Sequence, residues 1–416
     1  MRTIGQHRDE VAALLAPALA QRGAETVAID TLADGVGAGR GHRVLAAAVT
    51  APVPLPVFDN SQMDGFAVRA AESGRSVRVV DPIPAGAVPV PLAPGTAAPI
   101  MTGARIPDGA DAVVPVEETA PGAFPAALAL AELTVPDGTT TGTFVRTVGS
   151  DVRRGAELAP AGAPVTPALL GTLAAAGIDV VDVVRPVRVL VVSTGSELAD
   201  GRVGRGGAGG GGAGAMIRDA NGVALRAALA EVAAAARTVR LTDDVDAFLP
   251  ALEDAVGEWA DLVLTTGGIS AGAYEVVRQT LEPLGLAVTP VAMQPGGPQA
   301  LGRLPLAGRR VPVVAFPGNP VSALVSFEVF LRPVLAAVVG APDRAAQEFP
   351  AAESATSPIA KHQVRRGMVV DDRVHFVGGP SSHLLGHLAA ATHLVHVPVG
   401  TDTVEPGDPL TVWSLR

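Results

Sequence analysis

The alternation of apolar and polar positions changes character several times along the chain, and each change predicts a different kind of element. Residues 8–20 (RDEVAALLAPALA) carry apolar side chains at helical spacing, and a second short helix is expected around Thr26 to Leu32. From Val53 to about Val148 the texture shifts to short β-branched runs broken by proline and glycine, such as VRVVDPIPAG, DAVVPVEET and TFVRTVG. That pattern predicts a small β domain with closely spaced turns. Residues 167–184 (PALLGTLAAAGIDVVDVV) read as a helix ending at Gly177 and a strand, packing back on the N-terminal helix. The β domain is therefore expected to be inserted in a helical one.

After Arg185-Pro186 the pattern is the clearest in the chain. Apolar runs (VRVLVVSTGSEL, TVRLTDD, ADLVLTTGGIS, VPVVAFPGNP) alternate with helical ones (NGVALRAALAEVAAAA, DAFLPALEDAVGEW, AYEVVRQTLEPL, VSALVSFEVFLRPVL). This predicts a parallel, doubly wound α/β sheet covered on both faces, with ligands beyond the carboxyl ends of its strands. The stretch Asp200–Ala215 is glycine-rich and is expected to be mobile. Residues 345–416 return to short strands. The fold class expected is α/β and β multidomain. Its parts are a helical N-terminal domain (1–50 with 152–184), an inserted β domain (51–151), an α/β domain (185–338) and a C-terminal β domain (339–416).

Composition narrows the function. With 416 residues, 48% hydrophobic and 17% charged, the chain is rich enough in apolar groups to fold, and long enough for several domains. It has no cysteine, which removes disulfides, thiolate metal sites and cysteine nucleophiles. Its formal charge is −10, and Lys361 is its sole lysine among 31 basic residues. A general nucleic-acid binder would need a basic face, so none is expected. No membrane span is expected either: charges interrupt the N-terminal residues, and the uncharged run Pro82–Ala104 contains six prolines. A soluble, cytoplasmic protein is the expectation.

Three strand-to-helix loops share one chemistry: Ser193-Thr194-Gly195, Gly267-Gly268 with Ser270 and Gly272, and Pro317-Gly318-Asn319-Pro320 with Ser322. Glycines admit a ligand to the backbone, hydroxyls and N–H groups donate to oxygens, and helix N-termini favour anions. With Asp219 and Asn221 they would form a cradle for a phosphate or a pterin. Any one such loop is better explained by turn geometry and helix capping; three on one sheet are harder to dismiss. Acids surround the cradle at Glu197, Asp219, Asp243, Asp244 and Glu275. Carboxylates beside an anion repel it unless a divalent cation intervenes, so Mg²⁺ is expected, with Glu197, Asp243 and Glu275 as its candidate ligands. Helix capping by Asp243 and Asp244 is the alternative. In the β region, DNSQMDGFAVR (59–69) reads as an ordered functional loop, and Asp151 lies beside Arg153 and Arg154.

The strings DNSQMDGFAV, IMTGARIPDGADAVVPVE, VGSDVRRG, VVSTGSEL, TTGGISAG and FPGNPVSALVSFE, in this order, resemble the MoeA family of molybdopterin molybdenumtransferases, which includes the gephyrin E domain. The likeness runs from about Gly41 to Val397. It implies insertion of molybdate into adenylyl-molybdopterin with release of AMP and dependence on Mg²⁺. It also implies a homodimer with an intersubunit active site, and as further partners a MogA-type adenylyltransferase and apo-molybdoenzymes. Carried over by position, the functional acids fall on Asp59, Asp151, Glu197, Asp243 and Glu275. Asp59 and Asp151 would reach in from the neighbouring subunit.

The chain departs from the family in two places. Glu275 stands where an aspartate is usual, and Gln294 and Gly297 stand where lysines are common. Arg303, Arg365 or Arg366, and Ser382 with His383, are the candidates for meeting molybdate instead; Lys361 is not expected to stand in. Alternative readings are a molybdopterin adenylyltransferase, which would leave the other domains unexplained, and a pterin-binding scaffold with weakened insertion.

Overall fold

The computed structural model describes residues 1–37, 43–195, 217–269 and 275–415. Glu197, Ser270, Gly272 and the stretch Asp200–Ala215 lie outside the described residues. Two units are distinguished: Met1–Thr26, Thr31–Ala46 and Asp182–Arg416 form one, and Val27–Asp30 with Ala47–Val181 form the other.

The second unit is β-rich. Its five-stranded sheet has the order Ala112–Pro115, Gly65–Val68, Thr96–Ile100, Ser76–Val79, Glu132–Thr134. The strand Gly65–Val68 is buried on both faces: Phe66 and Val68 enter one apolar core, and Ala67 enters another with Ile100 and Val113. The helix Pro167–Ala175 has a proline in its first turn, Thr166 as N-cap through a hydrogen bond from Leu169 N, and Gly177 just past its end at φ +73°. These are the start and stop signals expected for it.

In the first unit, the helix Ile4–Ala20 begins with a capping box between Thr3 and Gln6. It buries His7, Val11, Leu15 and Leu19, the three apolar ones joining the core formed by Leu225, Leu262 and Phe330. The helix expected around Thr26–Leu32 is instead a strand, Ala24–Ala28, running into the helix Ile29–Gly37. Exposure alternates residue by residue through that strand, the period of an extended chain.

The central sheet has the order Ala235–Leu241, Arg188–Thr194, Leu262–Thr266, Arg309–Phe316, Pro298–Leu306, Ala287–Pro290. The first four strands are parallel, as expected; the last two run antiparallel. Ala307 and Gly308, both at positive φ, connect Leu306 to Arg309 as a tight hairpin. A two-residue turn can only return the chain antiparallel. The apolar helical run Pro320–Val339 has the length and composition to cross a membrane, but it is mostly buried inside this unit. A second sheet follows, in the order Met293–Gln294, His362–Val370, His393–Val397, Pro409–Ser414, Ala346–Pro350. Its first strand comes from the chain segment just before the Pro298–Leu306 strand, which brings an edge of this sheet beside the α/β loops.

Candidate functional site

Register decides where the three loops meet. Ser193 is level with Thr266, and Thr266 with Phe316, so the parallel strands end at one height. Gly267 N donates to Phe316 O at 3.1 Å, and Gly267 sits at φ +90°. A Cβ on Gly267 would lie 3.1 Å from Thr194 Oγ1, and one on Gly318 would lie 3.2 Å from Gly267 Cα. The loops therefore close on one another through glycine. Above them opens a cleft of about 1090 Å³, lined among others by Ser193, Thr194, Gly195, Asn221, Gly268, Pro317, Asn319, Pro320 and Ser322. The hydroxyls of Ser193 and Thr266, also in the lining, are buried and bond to none of the described residues. Buried hydroxyls without partners are costly, and a ligand at this mouth would satisfy them.

The acids divide into two kinds. Asp219 Oδ1 accepts from Gly222 N at 2.8 Å and caps the helix Ala220–Glu231, while Asn221 Nδ2 donates to Gly318 O at 2.7 Å. Asp244 Oδ1 accepts from Asp246 N at 2.9 Å and Ala247 N at 3.2 Å, so Asp244 is the cap of the helix Val245–Val256. That leaves the capping role filled and places Asp243 on the cleft. Glu275 is the residue before the helix Val276–Leu281; its side chain makes no capping bond and it too lines the cleft. Among the described residues no three acidic or histidine side chains converge as a metal cage. Two carboxylates at an anion-binding mouth are nonetheless a donor set that suits Mg²⁺, which keeps several waters and shares substrate phosphates.

The other side of the cleft is made by the second sheet. Gln294, Pro295, Gly296 and Gly297 line it, together with Lys361, Ser381 and Ser382. The buried Gln299 holds this turn: its Nε2 donates to Gly296 O at 2.8 Å and to Ser326 Oγ at 2.7 Å. Arg303 and Arg365, expected at the molybdate end, are not in the lining. Arg303 Nη2 donates to Leu14 O at 2.8 Å, because its place on the strand turns it to the Ile4–Ala20 helix. Arg365 lies over the Phe376 ring, 4.0 Å from its centroid, and donates to Gly378 O. Arg366 donates to Ser381 O at 3.0 Å and to Gly379 O. Burial lowers both guanidinium pKa values, and both are spent on carbonyls of the loop that carries Ser381 and Ser382. Sequence reasoning passed over Ser381 and set Lys361 aside, although the structure places both in the lining; being the chain's single lysine was the one signal Lys361 offered.

Asp59 and Asp151 belong to the second unit and are exposed there. Asp59 Oδ1 accepts from Val148 N at 2.6 Å. Asp64 Oδ1 accepts from Thr102 N at 2.6 Å and Thr102 Oγ1 at 2.7 Å, and these bonds, the backbone one first, lower its pKa. Asn60 and Ser61 are buried and pair with Arg146 and Val145. The DNSQMDG segment is thus tied down by its own polar groups while Asp59 stays accessible.

Residues 4–177 match the family model described as the MoeA N-terminal region (domains I and II), and residues 190–337 match the one described as a probable molybdopterin binding domain. The chain is 40% identical to molybdopterin molybdenumtransferase 2 of Mycobacterium tuberculosis, over 89% of this chain and 92% of that protein. It is 33% identical to the molybdopterin molybdenumtransferase of Synechococcus elongatus, over 90% and 92% of the two chains. A crystal structure of a molybdopterin biosynthesis MoeA protein from Pyrococcus horikoshii superposes with a TM-score of 0.74 at 26% identity, covering 98% of each chain.

Proposed function

The chain belongs to the MoeA family of molybdopterin molybdenumtransferases, transferases of molybdenum cofactor biosynthesis, and from that premise we propose how its cleft inserts molybdate into adenylyl-molybdopterin. The observation that carries the reading is the meeting of three glycine-bearing strand ends, with buried hydroxyls on Ser193 and Thr266 that have no partner among the described residues, at one large cleft. The pterin and its phosphates would occupy the α/β side, held by backbone N–H groups, Ser193, Thr266 and the Asn319 side chain. Water opens the phosphoanhydride to give AMP and the pterin's own phosphate monoester, and the two dithiolene thiols bond to molybdenum in place of one oxo group, which leaves with their two protons as water. With no cysteine in the chain, those sulfurs are the pterin's own.

Asp243 and Glu275 are the described residues that would hold Mg²⁺; when bound, the ion offsets phosphate charge as the anhydride opens. Asp59 and Asp151 are read as contributions from the second subunit of a homodimer, and the protein as cytoplasmic. The test is incubation of the purified chain with adenylyl-molybdopterin, Mg²⁺ and molybdate, following AMP. AMP release that depends on molybdate is expected. Binding of the pterin without molybdate-dependent release would overturn the reading in favour of a scaffold.

A further inference from the structure

We propose that Gln299, pinned to Ser326, is a positioning residue for the reaction: it fixes the Gly296-Gly297 turn in one wall of the cleft to a helix that starts in the other wall. The proposal rests on the function read from the cleft above and concerns a side chain that touches no ligand. Gln299 is the second residue of the strand Pro298–Leu306 and is fully buried, an amide beside the buried apolar Ala300 and Leu304. Its Nε2 donates to Gly296 O at 2.8 Å and to Ser326 Oγ at 2.7 Å. Its Oε1 is buried and has no partner among the described residues. The cost of that stranded oxygen works against the gain from the two bonds, so net stability is a weak reason for an amide here. What the two bonds add is a fixed geometry.

Both ends of the pin lead to the cleft. Gly296 and Gly297 are in its lining, and Gly296 sits at φ +88°. Two glycines in a row have the widest backbone freedom of any pair, so this turn does not hold its own shape. The backbone closes it at one point, where Val291 N donates to Gly297 O at 2.7 Å, and Gln299 holds the Gly296 carbonyl from inside. The fit is close: a Cβ on Gly296 would lie 3.0 Å from Ser326 Oγ and 3.5 Å from Gln299 Nε2. Ser326 is the last residue of the helix Pro320–Ser326 and is also fully buried. One turn earlier on the same helix face stands Ser322, which lines the cleft. The pin therefore runs behind the cleft, from the turn to the helix that presents Ser322.

The α/β side keeps supports of its own, Asn221 Nδ2 to Gly318 O and Gly267 N to Phe316 O. Loss of the pin frees one wall to shift against the other and leaves the proposed pterin cradle as it was. A misplacement of about 1 Å can cost roughly a hundredfold in rate. The loss falls on turnover, not on affinity for the pterin substrate.

The experiment compares the full-length wild type with Gln299→Met, which keeps the volume and removes the donor, with Ser326→Ala, and with the double variant. In AMP release at saturating molybdate, Q299M should lower kcat about tenfold to a hundredfold. The KM for adenylyl-molybdopterin should stay within about twofold of wild type. S326A should lower kcat less, and the double variant should be no slower than Q299M, because the first change already breaks the pin. A folded Q299M enzyme with the wild-type kcat overturns the proposal and leaves the proposed function standing; if Q299M does not fold, a wild-type kcat in S326A does the same. Hydrogen exchange of the ligand-free proteins decides the matter without turnover. The amides of residues 293–297 should exchange about tenfold faster in the variants, while those of the Leu262–Thr266 strand keep the wild-type rate. That local acceleration supports the pin even if the wild type releases no AMP; no acceleration, or acceleration throughout the chain, overturns it.

Discussion

His396 shows how far burial moves a single side chain. Its ring packs on Trp413 with centroids 4.2 Å apart, its Nδ1 lies 3.0 Å from His362 Nε2, and its Nε2 has no partner among the described residues. Burial first, and the neighbouring His362 second, lower its pKa to about 3. His7, buried against Phe330, is lowered to about 4 by burial and then by Arg2. Both stay neutral in the fold, whereas in the unfolded chain they titrate near 6.5. The unfolded state therefore binds more protons below pH 6.5, and stability falls as pH drops from there toward 4 and 3. The loss approaches about 1.4 kcal/mol per histidine per pH unit. Urea unfolding at pH 7 and pH 5 should show it, and His396→Gln should flatten the difference. A pH-independent midpoint over that range would refute the assignment. At this scale the sequence was ambiguous between neighbours: it marked Asp243 and Asp244 alike, and only the orientation of the helix start made Asp244 the cap.

A ring of charge holds the longest apolar helical run together. Glu328 lies in the π-helical turn Phe327–Leu331 and accepts two bonds from Arg344, Nε to Oε2 and Nη2 to Oε1, both at 2.9 Å. Arg344 Nη2 also reaches Glu231 at the end of another helix, and Arg332 Nε stands 3.6 Å from Glu328. Glu328 and Arg332 are both buried. Removing one charge of a buried set strands the others, so Glu328→Ala should cost about 3–5 kcal/mol in chemical denaturation. A cost under about 1 kcal/mol would mean that the set is solvated and weak. The parallel strands and their helices were legible because apolar runs alternate with stretches of helical spacing, two of them, Ala220–Glu231 and Val245–Val256, opened by a capping aspartate. The Pro298–Leu306 strand was not. Pro298, Gly302 and Pro305 make it look like a loop, although a Cβ on Gly302 would come within 2.7 Å of Gly285 O, so close packing rather than a turn explains that glycine.

For the whole molecule, the homodimer reading makes a sharp prediction. Asp59→Asn and Glu275→Gln should each suppress AMP release. If one site draws Asp59 from one subunit and Glu275 from the other, each mixed dimer holds one intact site and one doubly altered site. Random exchange of subunits should then restore about a quarter of the wild-type activity. No recovery after verified exchange would count against a shared site. Local pattern was enough to establish the family strings, the α/β alternation and the loops at its strand ends, since each depends on residues a few positions apart. The chain's charge balance likewise stated the problem of an acidic protein with one lysine. Where that lysine lies is not a local property. The chain must first pair Met293–Gln294 with His362–Gln363, far apart in sequence, before Lys361, Gln294 and Ser382 line one cleft. Arg303 and Arg365, equally plausible by charge, were taken up by carbonyls that burial left needing donors.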